Sequence, residues 1–395
     1  MTRSNMSYSD RKAVMKQKIA LLGSTGSIGE QALDVVRTRS DRFEVAVLTA
    51  GRNWKRLVEQ AIEFEPDAVV IAEENHYREL REALSSRPVK VYAGADAIEQ
   101  VVRGGNVDVV VNALVGYAGM KPSLAAVQGG KKLALANKES LVIAGRQIIS
   151  AAEENGVSIL PVDSEHSAIF QSMVGEVSPA RRLILTASGG PFLRTPREKL
   201  CEVTVEQALK HPNWRMGAKI TVDSATMVNK GFEVIEAHWL FGFPAGRIDV
   251  LVHPQSVVHS MVEYEDGAVK AQLGTPDMRL PIQYALTFPD RPDYGGSRLD
   301  FAKTGTLTFE EVDGEKFPAL GIAYECLRRG GSAPCVMNAA NEVAVSAFLQ
   351  GKIRYIDIVR LIERALEQAN HLVDPQVDDY VYLDSEVRRM TTEWI

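Results

Sequence analysis

Residues 18–36 read KIALLGSTGSIGEQALDVV, and this sequence gives the clearest indication of the fold. An apolar strand pattern runs directly into Gly23, Gly26 and Gly29, and a helical pattern begins at Glu30. Glycines at such a corner permit a tight turn and let backbone N–H groups approach a pyrophosphate at the start of the helix. The stretch therefore predicts the first strand and helix of a dinucleotide-binding domain. Because the spacing is GxxGxxG rather than GxGxxG, a plain strand–helix turn is the alternative.

The residues that follow repeat this alternation of strand and helix patterns as far as about Ile149. Apolar runs at 44–50, 68–72 and 107–114 have no polar face, and amphipathic helical patterns separate them. Continuous apolar strands of this kind are typical of a parallel sheet that helices cover on both faces. We therefore expect a Rossmann-like parallel sheet in the N-terminal part of the chain.

After residue 150 the pattern changes. Strand-like runs, including RLILTAS (182–188) and KITVD (219–223), mix with loops rich in Gly, Pro and Ser, and SATMVNKGFEVIEAHWLF (224–241) predicts one long helix. Three amphipathic segments follow Phe317. We predict an α/β protein with a Rossmann-like N-terminal sheet, a central α+β catalytic domain and a C-terminal helical domain. Its predicted parts are a disordered extension (1–14), a nucleotide-binding domain (15–150), the α+β domain (151–290), a linker (291–312) and the helical domain (313–395).

Composition narrows the class of protein. The 395 residues carry a net charge of −6, with 45% hydrophobic and 24% charged residues, which argues against a broad nucleic-acid surface and favours a small-molecule partner. Three scattered cysteines (Cys201, Cys326 and Cys335) are too few for a disulfide framework, so a cytoplasmic location is expected. No apolar run is long enough to span a bilayer, and we expect no membrane partner.

The end of the second predicted strand indicates which dinucleotide binds. An NAD site usually presents an acidic residue there, which holds the ribose 2′-hydroxyl. In this chain the strand EVAVLTA is followed by Gly51, Arg52 and Asn53. A guanidinium and an amide suit a 2′-phosphate, so NADPH is preferred. The alternative is that Arg52 is a solvated loop charge.

Four polar clusters lie where predicted strands end or helices begin: ALANKES (134–140), LPVDSEHSAIFQ (160–171), LTASGGPF (185–192) and VDSATMVNKGFEV (222–234). The carboxyl edge of a parallel sheet is where open α/β folds bind ligands. Serine, asparagine and lysine in these clusters could cradle a phosphate. Each cluster taken alone can equally be a capped and solvated helix start, and Asp163 or Ser164 would then be the cap.

The order of these motifs resembles that of a known family. GSTGSIG, ANKESLV, PVDSEHSAIFQ, SGGPF, HPNWRMG, VDSATMVNKGFEVIEA, HPQSVVHSMV and NAANEVAVSAF occur in the order found in 1-deoxy-D-xylulose 5-phosphate reductoisomerases. The resemblance covers about Lys18 to Arg360. It implies a homodimeric enzyme that uses NADPH and one Mg²⁺ or Mn²⁺ per subunit to rearrange and reduce a phosphorylated ketose to 2-C-methyl-D-erythritol 4-phosphate, in non-mevalonate isoprenoid precursor biosynthesis.

The resemblance also implies roles for individual residues. Asp163, Glu165 and Glu233 would hold the cation, an all-carboxylate set that suits a hard ion. We expect residues 163–165 to be extended, so that Asp163 and Glu165 point the same way. Lys138 would act beside the ligands as a catalytic electrostatic partner or proton donor, and His166 would at most orient them. The implied substrate-binding residues are Lys138, Ser164, Glu165, Ser188, His211, Trp214, Ser224, Asn229, Lys230 and Glu233. The implied cofactor-binding residues are Gly23, Ser24, Thr25, Gly26, Ser27, Ile28, Gly51, Arg52, Asn53, Asn137, Glu139 and Gly217.

Residues 211–217 (HPNWRMG) are interpreted as a mobile lid between two strands, with a structural loop as the alternative. Two other functions compete with the favoured one. A phosphorylating aldehyde dehydrogenase of the aspartate-semialdehyde type has a similar domain order but needs a thiolate nucleophile, and Cys201 lies outside every polar cluster. A non-catalytic NADP-binding sensor would keep the glycine loop without needing three carboxylates.

Overall fold

The computed structural model describes residues 15–104, 106–214 and 216–395, and the predicted disordered extension over residues 1–14 lies outside them. The N-terminal sheet has seven strands: β1 (Gln17–Leu22), β2 (Phe43–Ala50), β3 (Ala68–Ile71), β4 (Lys90–Ala93), β5 (Val109–Asn112), β6 (Lys132–Leu135) and β7 (Ile159–Pro161). They are all parallel, in the order β4-β3-β2-β1-β5-β6-β7. The strand order therefore reverses between β1 and β5, where such sheets bind ligands.

Helices cover both faces of this sheet, as its continuous apolar strands predict. They are α1 (Ser27–Thr38), α2 (Trp54–Phe64), α3 (Tyr77–Ala83), α4 (Ala95–Gly104), α5 (Met120–Gln128) and α6 (Glu139–Glu154). Successive side chains of a strand point to opposite faces. Leu21 of β1 accordingly packs in the core that α1 and α2 cover, and Leu22 packs in the core that α5 and α6 cover.

The central part of the chain forms a second, mixed sheet. Its strands are β8 (Ala180–Ala187), β9 (Ile248–Val252), β10 (Val258–Tyr264), β11 (Val269–Leu273) and β12 (Glu310–Glu311), in the order β11-β10-β8-β9-β12. Only β8 and β9 are parallel neighbours. The helices in this part of the chain are α7 (Ser164–Met173), α8 (Val205–Ala208), α9 (Ala218–Thr226), α10 (Val228–Phe241), α11 (Arg279–Thr287) and α12 (Phe301–Thr304), of which α11 packs in the core of the first sheet.

Four helices close the chain: α13 (Pro318–Arg329), α14 (Ala333–Leu349), α15 (Tyr355–Gln368) and α16 (Val377–Glu393). The first three correspond to the predicted amphipathic segments. Phe232 of α10 lies in one buried core with Met337 of α14 and Ile358 of α15. The helical region therefore packs directly on the helix that carries Glu233. No helix among the described residues is long and apolar enough to cross a membrane.

Several sequence-based boundaries need correction. The expected end of the first domain at residue 150 falls inside α6, and the seventh strand of its sheet lies beyond it at Ile159–Pro161. The expected boundary assigns Ile159–Pro161, the short apolar run before DSEH, to the second domain. This run is β7, and its pairing with β6 places it in the first sheet. The segment read as a linker contains α12 and also β12, which pairs with β9.

Two secondary-structure predictions were wrong. The run KITVD is not a strand but part of α9, in which Val222 and Ala225 pack in the core, one turn apart. The single helix expected over 224–241 is two helices, since Met227 between them adopts a left-handed conformation with φ 64°. The break turns α10 relative to α9.

The packing of α6 against α10 can be tested at Gly145. A Cβ atom added there would lie 2.3 Å from Trp239 Cδ1, so the glycine permits close contact between the two helices. We predict that Gly145→Ala lowers the free energy of unfolding by about 1–3 kcal/mol through overpacking. Gly246→Ala is the control, since no atom lies within 4 Å of the added Cβ. Denaturant titration measures both, and unchanged stability of Gly145→Ala would contradict this packing.

Candidate functional site

A cavity of about 710 Å³ lies between the two sheets and is lined from α1, α7, α9, α10 and the loops after β6, β8 and β11. Every residue that the sequence analysis assigned to substrate lines it. They are Lys138, Ser164, Glu165, Ser188, His211, Trp214, Ser224, Asn229, Lys230 and Glu233. Residues that lie up to 95 positions apart in the chain therefore meet in one chamber, as the resemblance implied.

The stretch DSEH begins a helix and does not continue the strand. Asp163 is the N-cap of α7, with its carboxylate accepting a hydrogen bond from Ser164 N, and Glu165 lies in the first turn. The expectation of an extended segment with alternating side chains was therefore wrong, and the helix-start alternative was right. Both carboxylates still reach the cavity, since the cap and the first turn project from the same end of the helix.

Three carboxylates converge in the cavity. One oxygen each of Asp163, Glu165 and Glu233 lie within 4.8 Å of one another. Glu233 comes from α10 and is 1% exposed, whereas the other two come from the start of α7. Oxygen donors without Cys or His among them suit a hard divalent cation such as Mg²⁺. These residues therefore fit the metal that the resemblance implied.

Two buried lysines lie against the same carboxylates. Lys138 Nζ lies 2.5 Å from Asp163 Oδ2, 3.0 Å from Glu233 Oε1 and 2.8 Å from Asn229 Oδ1. Lys230 Nζ lies 2.7 Å from Glu165 Oε1 and also contacts Glu233. Three carboxyl groups face two ammonium groups, so when all three are ionised the cluster lacks one positive charge, which a cation can supply.

The pKa values of the cluster follow from burial and from these charges. Burial acts to lower the pKa of Lys138, but Asp163 and Glu233 outweigh it and hold the value well above the usual one. Burial and then the charge of Glu165 raise the pKa of Glu233. Burial would raise the pKa of Glu165 as well, yet Lys230 and Lys138 lower it. Lys138 is therefore a fixed positive charge at neutral pH.

A second layer behind the carboxylates was only partly foreseen. His166 is fully buried, and its Nε2 lies 2.9 Å from the main-chain oxygen of Glu233, so it braces α7 against α10. Its Nδ1 lies 3.3 Å from Oε2 of Glu236, which is also fully buried. Glu236 was not predicted from the sequence, although its place one turn after Glu233 in an apolar helix was a usable signal.

The far end of the cavity is polar and uncharged. Ser188 Oγ lies 2.9 Å from His211 Nε2, and Gly190 N donates to the same hydroxyl at 3.2 Å. Gly190 has φ 65°, and a Cβ there would lie 2.8 Å from Ser224 O, so only glycine lets these segments meet. Burial lowers the pKa of His211 to about 4, so its ring is neutral at neutral pH.

The segment read as a lid joins two helices, α8 and α9, and not two strands as expected. His211 Nδ1 accepts hydrogen bonds from Asn213 N and Trp214 N, and Asn213 Nδ2 donates to Pro254 O and Ser256 Oγ. Trp214 is half-buried, with its ring 6.1 Å from that of His259. Asn213 and His259, neither of which was predicted as a site residue, therefore anchor the segment. Arg215 lies outside the described residues. The mobility of the segment 211–217 stays a prediction.

The glycine loop lies where the sequence predicts it. Gly23 has φ 77° and follows β1, and Gly26 is the N-cap of α1 with no side chain capping the first turn. Uncapped N–H groups at a helix start are the donors that a phosphate accepts. Ser27 and Ile28 also line the cavity, so the helix start opens directly onto it.

Other expected cofactor residues are placed less directly. Gly51, Arg52 and Asn53 follow β2 and are exposed, but Asn53 Oδ1 accepts from Arg56 N and so caps α2. Asn137 and Glu139 are buried and do not line the cavity. Glu139 is ion-paired with Lys219 at 2.5 Å, while Asn137 binds the loop after β5. Gly217 lines the cavity as the N-cap of α9.

No cysteine is among the described residues that line the cavity. Cys201 is exposed on a short helical turn, and burial raises the pKa of the thiols of Cys326 and Cys335. An aldehyde dehydrogenase of the aspartate-semialdehyde type needs a thiolate at its substrate. This arrangement does not support that alternative.

Comparison with known proteins identifies the family. Family models match three segments: 1-deoxy-D-xylulose 5-phosphate reductoisomerase over residues 19–145, the C-terminal domain of the same enzyme over 159–241, and the DXP reductoisomerase C-terminal domain over 273–390. The Bacteroides fragilis protein named 1-deoxy-D-xylulose 5-phosphate reductoisomerase is 56% identical over 97% of this chain and 99% of its own length. The chain belongs to the 1-deoxy-D-xylulose 5-phosphate reductoisomerase family.

Solved structures of reductoisomerases have the same fold. The Zymomonas mobilis enzyme in complex with NADPH is 45% identical, with a TM-score of 0.88 over 96% of this chain and 99% of that one. A reductoisomerase in complex with NADPH, fosmidomycin and magnesium is 38% identical, with a TM-score of 0.92 over 95% of this chain and 98% of that one. The predicted fold class is confirmed.

The balance of charge in this reductoisomerase site can be tested at Lys138. We predict that Lys138→Met lowers the free energy of unfolding without metal by about 3–5 kcal/mol, because Asp163 and Glu233 lose a buried partner. Mg²⁺ should restore part of that loss, and so raise the melting temperature of this variant more than that of the wild type.

The control for this prediction is Lys270→Met, which breaks a surface pair with Glu176. Its stability should change by less than about 1 kcal/mol, with the wild-type response to Mg²⁺. Thermal denaturation with and without the ion measures both. An equal Mg²⁺ response in all three proteins would contradict a shared role of Lys138 and the cation.

Proposed function

We propose that this chain is an NADPH- and divalent-metal-dependent enzyme that converts 1-deoxy-D-xylulose 5-phosphate to 2-C-methyl-D-erythritol 4-phosphate. The observation that carries the proposal is the meeting of three carboxylates and two lysines in a chamber that opens onto the glycine loop. Relatives of this name match nearly the whole chain, and solved relatives bind NADPH, fosmidomycin and magnesium. A non-catalytic NADP sensor would have no use for the carboxylates.

The carboxylates would bring the metal and the substrate oxygens together. Asp163, Glu165 and Glu233 would hold Mg²⁺ or Mn²⁺, which when bound supplies Lewis-acid stabilisation of negative charge on substrate oxygens. The ammonium of Lys138 contacts the same carboxylates and is charged at neutral pH. It would therefore donate hydrogen bonds to the substrate oxygens. Ser164, with its hydroxyl 2.5 Å from Glu165 Oε2, binds substrate beside the ligands.

The end of the cavity at Ser188 suits the phosphate of the substrate. Ser188 and Ser224 line the cavity with hydroxyl donors, and neutral His211 can add one more. Asn229 and Lys230, which contact the carboxylate cluster, would add an amide and an ammonium donor from that side. Binding energy from a remote phosphate fixes the position of the reacting carbons. Trp214 would cover the bound substrate and exclude water.

NADPH would bind along the carboxyl edge of the first sheet. Residues 23–28 would hold its pyrophosphate at the start of α1, and Gly51, Arg52 and Asn53 its 2′-phosphate. Gly217 would lie near the nicotinamide. Asn137 and Glu139 would act through the segments that they hold, since neither lines the cavity. The homodimer and the cytoplasmic location belong to the same proposal; the homodimer rests on the resemblance, and the location rests on the few, scattered cysteines.

The assignment of the metal ligands is tested by Asp163→Asn, Glu165→Gln and Glu233→Gln. Substitution of a residue that only supports a metal ligand typically lowers activity by roughly 10- to 100-fold. We expect each of these variants, which removes a ligand itself, to lose more activity than that. Their affinity for NADPH should stay within about twofold, because the ligands lie in the substrate half of the site. The assay follows NADPH oxidation with isotope-labelled ketose phosphate, and identifies the product by its carbon connectivity.

Glu176→Gln, an exposed carboxylate paired with Lys270, is the matched control and should retain wild-type rates. EDTA should abolish wild-type turnover, and Mg²⁺ should restore it. Near-normal rates in any two ligand variants would overturn the ligand assignment. NADPH oxidation that persists in EDTA would overturn the metal-dependent function.

Cofactor choice is tested at Arg52. We predict that Arg52→Ala raises the KM for NADPH by about ten- to a hundredfold, because a charge-assisted contact is worth about 1.5–3 kcal/mol. The KM for NADH should hardly change, since NADH lacks the 2′-phosphate. Lys55→Ala removes a neighbouring exposed cation and should affect neither value strongly. If both cofactors weaken equally in Arg52→Ala, Arg52 has a structural role instead.

A further inference from the structure

The loop after β5 forms the second side of the crevice at which the strand order reverses. Gly23 and Ala113 lie so close across this crevice that a Cβ on Gly23 would be 2.8 Å from Ala113 O. The tip of the loop carries Val115, a large apolar side chain that is 68% exposed. Ligands of open α/β sheets bind in this crevice. Val115 therefore faces solvent at a place where a dinucleotide is expected.

Side chains, and not a strand ladder, hold the backbone of this loop. Asn112 Oδ1 accepts from Leu114 N at 3.1 Å. Asn137 Nδ2 donates to Leu114 O at 2.9 Å and to Gly116 O at 3.0 Å. The N–H of Tyr117 donates to Oε1 of Glu342 at 2.8 Å. The last of these contacts comes from the C-terminal helical region, 225 positions further along the chain.

Glu342 of α14 is itself held from the last helix of the chain. Its Oε2 accepts from Arg388 Nη2 at 2.7 Å, and Arg388 also binds Asp384 through Nε at 2.6 Å. The Arg388 guanidinium lies 5.9 Å from the centre of the Tyr117 ring. Gly116 has φ 68°, and a Cβ there would lie 2.5 Å from Glu342 Oε1. The loop after β5 can therefore approach the Glu342 carboxylate this closely only because residue 116 has no side chain.

We propose that Glu342 and Arg388 are positioning residues for the dinucleotide, because they hold the loop Leu114–Tyr117 so that Val115 packs against the bound cofactor. The inference rests on the proposed use of NADPH and gives the C-terminal helices a part in binding it. Both side chains act through the loop, so neither touches the cofactor.

The contact of Val115 is tested by Val115→Ser, with Val177→Ser as the matched control. Val177 is fully exposed and lies in the turn before β8. Direct titration should show that the Kd for NADPH rises about three- to tenfold in Val115→Ser, since apolar contact area is lost. The control should keep the wild-type Kd, and both variants should keep the wild-type melting temperature.

The role of the C-terminal helices is tested by Glu342→Gln, Glu342→Leu and Arg388→Met. Glutamine at this position can still accept a hydrogen bond from Tyr117 N, so the Kd for NADPH should rise by up to about threefold in Glu342→Gln. Leucine cannot accept it, and the Kd should rise by about three- to twentyfold in Glu342→Leu. Arg388→Met should resemble Glu342→Gln, and it decides the matter if Glu342→Leu does not fold. Glu386→Gln on the same helix, which breaks only the surface pair with Arg389, should leave the Kd unchanged.

The positioning role requires a split between kinetic constants. In the folded variants the KM for NADPH should rise while kcat, the KM for the ketose phosphate and Mg²⁺ affinity stay within about twofold. Variants that melt earlier but bind NADPH normally, or an unchanged Kd in Val115→Ser, would overturn this inference alone. A wild-type protein that fails to bind NADPH in the same titration would instead overturn the proposed function.

Discussion

The buried ion pairs of Lys138 and Lys230 with three carboxylates are the interaction on which the rest of the site depends. A buried charge is costly unless it is paired, so Asp163, Glu165 and Glu233 can meet only if cations meet them. Lys138 comes from the turn between β6 and α6, whereas Lys230 and Glu233 share α10. The pairs therefore join the carboxyl edge of the first sheet to α10 at the lining of the cavity. The proposed cation would neutralise the negative charge that the two lysines leave.

The fold supplies these groups by bringing helix starts to one place. Helices α1, α6, α7 and α9 all begin at the cavity or beside it, and α10 packs against the last three of them and also lines the cavity. The helical region at the C-terminus packs on α10 at Phe232, and it binds the loop Leu114–Tyr117 through Glu342. It contributes no residue to the cavity lining among the described residues, and it positions those that do.

Local patterns predicted most of the fold, and they failed where tertiary contacts decide. The strand–glycine–helix corner at Gly23 and the parallel strands follow from apolar runs that need burial on both faces. KITVD has the composition of a strand, yet packing of Val222 in the core makes it helical. The break at Met227 carries no local signal. Asp163 and Glu165 did carry one, since a capping residue and an acidic first turn indicate a helix start, but the expected metal geometry favoured an extended segment. Glu342 and Glu236 were missed because their partners lie far away in sequence or on another helix. Motif order identified the cavity residues, but it could not show that Asn137 and Glu139 lie buried outside the cavity lining.

We propose that the three carboxylates form one divalent-cation site in which Lys138 and Lys230 offset part of the charge. An anomalous difference map from crystals of the protein grown with Mn²⁺ tests this arrangement. We expect one strong peak in each cavity, at about 2.0–2.6 Å from oxygens of Asp163, Glu165 and Glu233. A cavity without a peak, or a peak whose ligands exclude two of these carboxylates, would contradict it.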